Sequence, residues 1–162
     1  MSSILTQARS GLWADAVADN HMFSGWARVS PSINFGQVMI LNPAASGKQV
    51  YIFSVRANMS GTGITMGMGL RTAALATPVT TIGTLTPGSG RLAVSTMSKS
   101  TGGSSLITTQ YQSHLTLAGE FELLQPHTVV HLTPGGQGWI VGNTSGVFAD
   151  INVIFVWAEL NF

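Results

Sequence analysis

His127 and His131 stand four residues apart in His127-Thr-Val-Val-His131. On a helix that spacing puts two imidazoles on one face, where they can share a zinc ion, with an acidic neighbour as base. Here the neighbour is Thr128, and Thr-Val-Val favours a strand. The pair would still share a strand face, because side chains alternate with period two. No Asp, Glu or Cys lies close in sequence to complete a ligand set. The expectation is ordinary surface or edge histidines and no metal. His21 and His114 are isolated.

Glu120 and Glu122 would share one face of a strand. Like charges at that distance can raise one carboxyl pKa for acid–base work. The competing reading is a solvated edge, or a pair awaiting a cation from the earlier, basic part of the chain, and it is preferred. Asn42-Pro-Ala-Ala-Ser-Gly-Lys48-Gln49 approaches the phosphate-loop pattern G-x-x-x-x-G-K-S/T. It lacks the first Gly and the metal-binding hydroxyl, and it leads into a strand where a phosphate cradle needs a helix N-terminus. No G-x-S-x-G elbow occurs, since Gly88-Ser-Gly90 and Gly142-Asn-Thr-Ser-Gly146 have the wrong spacing. No catalytic residue, metal ligand or cofactor is therefore assigned.

Charges are few and sorted by sign. Asp, Glu, Lys and Arg make up 8% of 162 residues, against a usual share of roughly 25%. Between Asp19 and Glu120 the charged residues are Arg28, Lys48, Arg56, Arg71, Arg91 and Lys99; after Lys99 they are Glu120, Glu122, Asp150 and Glu159. Soluble monomers usually intersperse both signs, so this poverty points to a surface covered by other subunits. Greek-key folding makes distant strands neighbours, and the sorted signs are expected to pair, within one fold or between subunits. The basic residues are scattered singly, which argues against a nucleic-acid partner. Cysteines are absent, which removes disulfides and thiolate metal sites.

The longest charge-free run, 123–149, is broken by Pro126, Pro134 and several glycines. It holds nothing like the roughly 20 apolar residues of a spanning helix. Residues 1–20 lack the basic start and apolar run of a signal peptide. Neither a membrane nor a secretory route is expected.

The elements that would position these residues are mostly strands. Leu12, Trp13, Ala16 and Val17 have helical spacing. Residues 1–20 are read as an arm, either frayed or docking Leu12 and Trp13 onto a neighbour. From His21 onward, short runs of Val, Ile, Phe, Tyr, Trp and Thr alternate with Gly, Pro, Asn and Ser clusters. Strands are expected near 21–29, 33–41, 48–58, 62–71, 91–97, 107–116, 120–125, 128–132, 137–142 and 150–161. Such a series forms a sandwich or barrel.

Three strands carry more. Tyr51, Phe53 and Val55 should face one way, and Val50 and Ile52 the other. In 151–160, one face reads Ile151, Val153, Phe155, Trp157 and the other Asn152, Ile154, Val156, Ala158, Leu160. A strand apolar on both faces is covered on both, by the arm or by another subunit. In 61–70, Gly61, Gly63, Gly67 and Gly69 share one face, and Ile64, Met66, Met68 and Leu70 the other. Interior glycines weaken a strand or admit another backbone. A loose edge is slightly preferred over a subunit seam filled by methionines.

Asn42-Pro-Ala-Ala-Ser-Gly-Lys48 leading into Val50-Tyr-Ile-Phe53 resembles small structural proteins of tailed bacteriophages. So do Phe121-Glu-Leu-Leu124, Thr133-Pro-Gly-Gly-Gln-Gly138 and Asp150-Ile-Asn-Val-Ile-Phe-Val-Trp-Ala-Glu159. The likeness covers separated blocks amounting to about half the chain. It implies a jelly-roll-like sandwich that trimerises on a virion, as a capsid decoration (cement) protein or a head-fibre or tail-fibre module, and it brings no catalytic residues.

The expectation is an all-β, jelly-roll-like antiparallel β-sandwich at 21–162 with a short N-terminal arm at 1–20. It would be a homotrimer that cements a capsid by bridging neighbouring shell subunits. Its partners would be itself and the major capsid protein or another virion protein. It would reside in the virion after assembly in the host cytoplasm. Leu12, Trp13, Met66, Met68, Ile154, Val156 and Leu160 are the expected interface residues. One alternative is a receptor-binding fibre module in which Trp26, Trp139 or Tyr111 stacks on sugars. Another is a cupin-like or carbohydrate-active enzyme, since architecture does not fix function.

Overall fold

The computed structural model describes residues 11–17, 21–30, 35–60, 64–85, 90–102, 105–107, 109–116 (backbone only), 119–125, 128–146 and 149–161. Within them, two antiparallel sheets of six strands pack as a sandwich. The first sheet runs β10 (Val130–Leu132), β3 (Lys48–Met59), β12 (Ile151–Asn161), β1 (Met22–Val29), β6 (Ile82–Thr84), with β9 (Gly119–Glu122) also paired to β3. The second runs β5 (Thr77–Val79), β7 (Thr96–Ser100), β2 (Gln37–Asn42), β11 (Gln137–Asn143), β4 (Ile64–Arg71), β8 (Thr109–Thr116).

With β9 and β10 taken as one interrupted position, the order β1-β12-β3-β9/β10 faces β2-β11-β4-β8. That is the double Greek key of a jelly roll. The segment between β4 and β8 supplies β5, β6 and β7, which widen both sheets on one side. β5 and β6 fall in a Thr-rich stretch that carries little strand signal.

Strand alternation builds the core. Ile151, Val153, Phe155 and Trp157 of β12 are buried against Ile64, Met66 and Met68 of β4 and Trp139 and Val141 of β11 in one cluster. Phe23 stacks on Trp157 at 6.0 Å. A Cβ on Gly25 would lie 2.3 Å from Met97 Sδ and 3.2 Å from Trp157, so only glycine leaves room for both at this seam.

Four expectations are corrected. β4 is an interior strand between β11 and β8, not an edge. Met66 and Met68 are wholly buried, so in this fold neither is on offer to a second subunit; Gly61 lies outside the described residues, as does Gly63. The expected phase of β3 fails at Phe53: Ser54 pairs with Val156 and Ile52 with Trp157, leaving Phe53 as an extra residue. This β-bulge returns Val55 to the core alongside Val50 and Ile52, while Phe53 joins the cluster of the opposite face. Residues 91–95 are not strand; β7 begins at Thr96.

Both outer faces are partly covered by the chain itself. On the second sheet, Met39 and Ile140 are buried under Leu75, with Leu106 and Ile107 packed against them. On the first, the helical stretch 11–17 sets Ala16 against Met22, Phe53 and Ala158, with Leu12, Tyr51, Val156 and Leu160 alongside. Trp13 meets Phe53 edge-on at 5.3 Å. The arm therefore covers one end of the two-sided strand β12 within its own subunit.

Phe155→Ala, which empties the centre of this core, is expected to lower unfolding stability by about 3–5 kcal/mol, and Ile154→Ala on the half-buried outer face by about 1 kcal/mol or less. Guanidinium denaturation of the two variants measures the difference.

Candidate functional site

The register of β1, β12 and β3 arranges the outer face of the first sheet in rows. They read Met22–Ala158–Tyr51, Ser24–Val156–Ser54, Trp26–Ile154–Arg56 and Arg28–Asn152–Asn58. The helical stretch packs on the first row and reaches Val156 of the second. Beyond it the face is open: Trp26 is 49% exposed, and Arg28, Arg56 and Asn58 are exposed beside a half-buried Ile154.

On that open face the sorted charges meet. Arg28 Nη2 lies 2.6 Å from Asp150 Oδ2, and Arg56 Nη1 lies 3.1 Å from Glu120 Oε1. Glu122 accepts hydrogen bonds from Ser54 Oγ at 2.6 Å and the Val55 N–H at 2.9 Å. The Glu120–Glu122 pair is thus engaged by β3, where Arg56 stands opposite Glu122 in register. Its carboxylates serve sheet pairing, and exposed pairs of this kind contribute little to stability.

Glu159 differs. It is 2% exposed and accepts from the N–H groups of Val94 and Ser95, both at 2.8 Å, and from Trp157 Nε1 at 3.2 Å. A buried carboxylate is tolerated when donors surround it. By taking these two amides it holds 94–95 out of the ladder, which explains why the expected strand at 91–97 starts late. Arg91 Nη1, 2.7 Å from the His21 ring nitrogens, ties the same loop to the start of β1. Between these ties Leu92 stands 86% exposed, with Leu85 and Val94 at 43% and 37%.

The remaining motifs resolve into structure. His131 stacks on Tyr51 at 4.7 Å and contacts Gln49 Oε1; His127 lies outside the described residues, as do the side chains of Tyr111 and His114. Residues 43–47 form a turn between the sheets. Asn42 Nδ2 donates to the carbonyls of Lys48 and Leu132, and Lys48 Nζ donates to Asn161 Oδ1, leaving no phosphate cradle there. Trp139 is 7% exposed in the core, so it cannot stack on a sugar. Of the expected interface residues, Leu12, Val156 and Leu160 pack around the arm's own contact, and Trp13 keeps 40% of its surface exposed.

A shallow groove of about 320 Å³ opens at the end of β1. It is lined by Trp26, Ala27, Arg28, Pro78, Val79, Thr80, Thr81 and Lys99. Of this lining, Trp26 is the sugar-stacking candidate in the sequence and Arg28 and Lys99 belong to its basic segment, while β5 and the turn after it carry no periodic signal. Among the described residues, no group of three or more His, Asp or Glu is placed to hold a metal, and no helix is long and apolar enough to cross a membrane.

No family model, curated protein or solved structure matches this chain.

Two outcomes are expected. Glu159→Gln sets an amide donor against an N–H, costing about 1–3 kcal/mol and speeding hydrogen exchange at Val94 or Ser95. Arg28, by its hydrogen bond, holds the Asp150 carboxyl below its ordinary value of 3.8. A depressed folded-state value stabilises above the unfolded one and is lost as pH falls through the folded one. The small difference in melting midpoint between Asp150→Asn and the parent should therefore close as pH drops below the carboxylate range.

Proposed function

We propose that this chain is a virion structural protein, a homotrimeric capsid decoration protein that bridges neighbouring shell subunits. Three features support the reading: the jelly-roll strand order, the charge-poor surface, and carboxylates engaged by backbone amides, a hydroxyl and arginines. The observation that carries it is Leu92. A leucine exposed on a loop clamped at both sides, by Glu159 and by Arg91, is held ready for burial in a partner. A side chain already held in place loses little ordering entropy on docking.

In this reading Leu92, Leu85 and Val94 form the contact between copies. The exposed Trp13 and Val17 of the arm face the shell. Burial contributes about 25 cal/mol per Å² of apolar surface, and the few surface charges limit the desolvation cost. The protein acts by binding, with no catalytic step.

Light scattering on the purified chain is expected to give three times the 17.0 kDa subunit mass, and Leu92→Glu is expected to give the monomer with its melting curve unchanged. Mass spectrometry should find the chain in purified particles, and particles made without it should release their genome at lower temperature. A parent chain that stays monomeric and is absent from particles overturns the proposal.

A further inference from the structure

We infer that the groove between Trp26 and Lys99 binds an acidic saccharide, a sugar ring bearing a carboxylate. The site is fixed by backbone on both sides. The Trp26 N–H donates to the Thr81 carbonyl at 3.2 Å, and Thr81 Oγ1 donates back to the Trp26 carbonyl. The 80–81 turn therefore stands at a set distance from the indole. Trp26 is 49% exposed, an unusual exposure for a side chain whose apolar area favours burial. An indole presented this way offers a flat apolar surface to the C–H face of a sugar ring, with the Thr80 and Thr81 hydroxyls beside it for the ring's own hydroxyls.

Two cationic residues complete the lining, and among the described residues no carboxylate belongs to it. Lys99 Nζ reaches from the second sheet to donate to the Arg28 carbonyl at 3.1 Å. That bond uses one of its three donors and leaves two for a ligand. The Arg28 side chain is 66% exposed and gives one nitrogen to Asp150, leaving further guanidinium donors. A carboxylate beside Lys99 would accept charge-assisted hydrogen bonds, while the ring rests on Trp26. Stacking plus positive charge also suits a nucleotide. Nucleic-acid affinity, however, is built on many phosphate contacts, and this chain carries its basic residues singly with a net charge of +1. The volume, about 320 Å³, lies at the small end of ligand sites and fits a short glycan terminus. The site does not depend on assembly, so the decoration role and this binding stand or fall separately.

The full-length protein is titrated with 3′-sialyllactose, with tetragalacturonate and with lactose as the neutral control, followed by tryptophan fluorescence and calorimetry. At least one acidic probe should bind, and lactose should bind about tenfold more weakly or not at all. Trp26→Ala and Lys99→Met should each weaken binding about tenfold or more, with melting curves showing that both variants fold. Failure of both acidic probes to bind overturns the inference. So does binding that survives Trp26→Ala, or preference for the dinucleotide dT-dT over both acids.

Discussion

Strand β12 is apolar on both faces, and both have to be kept from water. Its inner face, with Phe155 and Trp157, closes against the second sheet. Its outer face, with Val156, Ala158 and Leu160, recruits the arm. Because β12 lies between β1 and β3, covering it draws the first and third strands into one sheet. The helical stretch then roofs the part of the sheet that a two-layer sandwich would otherwise leave wet. Even the single carboxylate at the end of this strand, Glu159, is buried, and it organises the loop that carries Leu92.

The outer face of the first sheet divides accordingly. Near Met22 it is a small secondary core under the arm. Near Arg28 it is polar, with cations from early strands opposite acids from late ones. The jelly-roll order explains this without any second subunit: β1 and β3 flank β12, and β9 pairs with β3. Arg28 thereby meets Asp150 and Arg56 meets Glu120. The sorted signs reflect chain topology; the scarcity of charge remains the feature that suits an assembled surface.

Much of this was legible in the sequence, and the gaps have physical causes. The strands dense in β-branched and aromatic residues, β3 and β12, lie within a residue or two of their expected bounds, because Val, Ile, Phe, Tyr and Trp favour the extended chain. Strand number and turn chemistry point to a sandwich or barrel; the jelly-roll form is what the resemblance to phage structural proteins implies. The bulge at Phe53 was not legible: one extra residue leaves composition unchanged and shows only as a shift of phase. β5 and β6 leave no strand signature, because three-residue edge strands rich in Thr, Pro and Gly have the composition of loops. The glycines of β4 weaken strand propensity and suggest a loose edge, although pairing on both sides sets it inside the sheet. The groove beside Trp26 needed residues from β1, β5, its turn and β7, which no linear pattern connects.

The position of β12 also bears on how the molecule comes into being. The strand at the middle of the first sheet is the last of the described strands in sequence order. Until it emerges, β1 and β3 have no neighbour to pair with between them, and the core lacks Phe155 and Trp157. Contacts of such long sequence separation make for slow closure, during which unpaired edges are open to other chains. Completion of the sandwich thus waits for its last strand. A chain cut before Ile151 would lose the keystone of the first sheet.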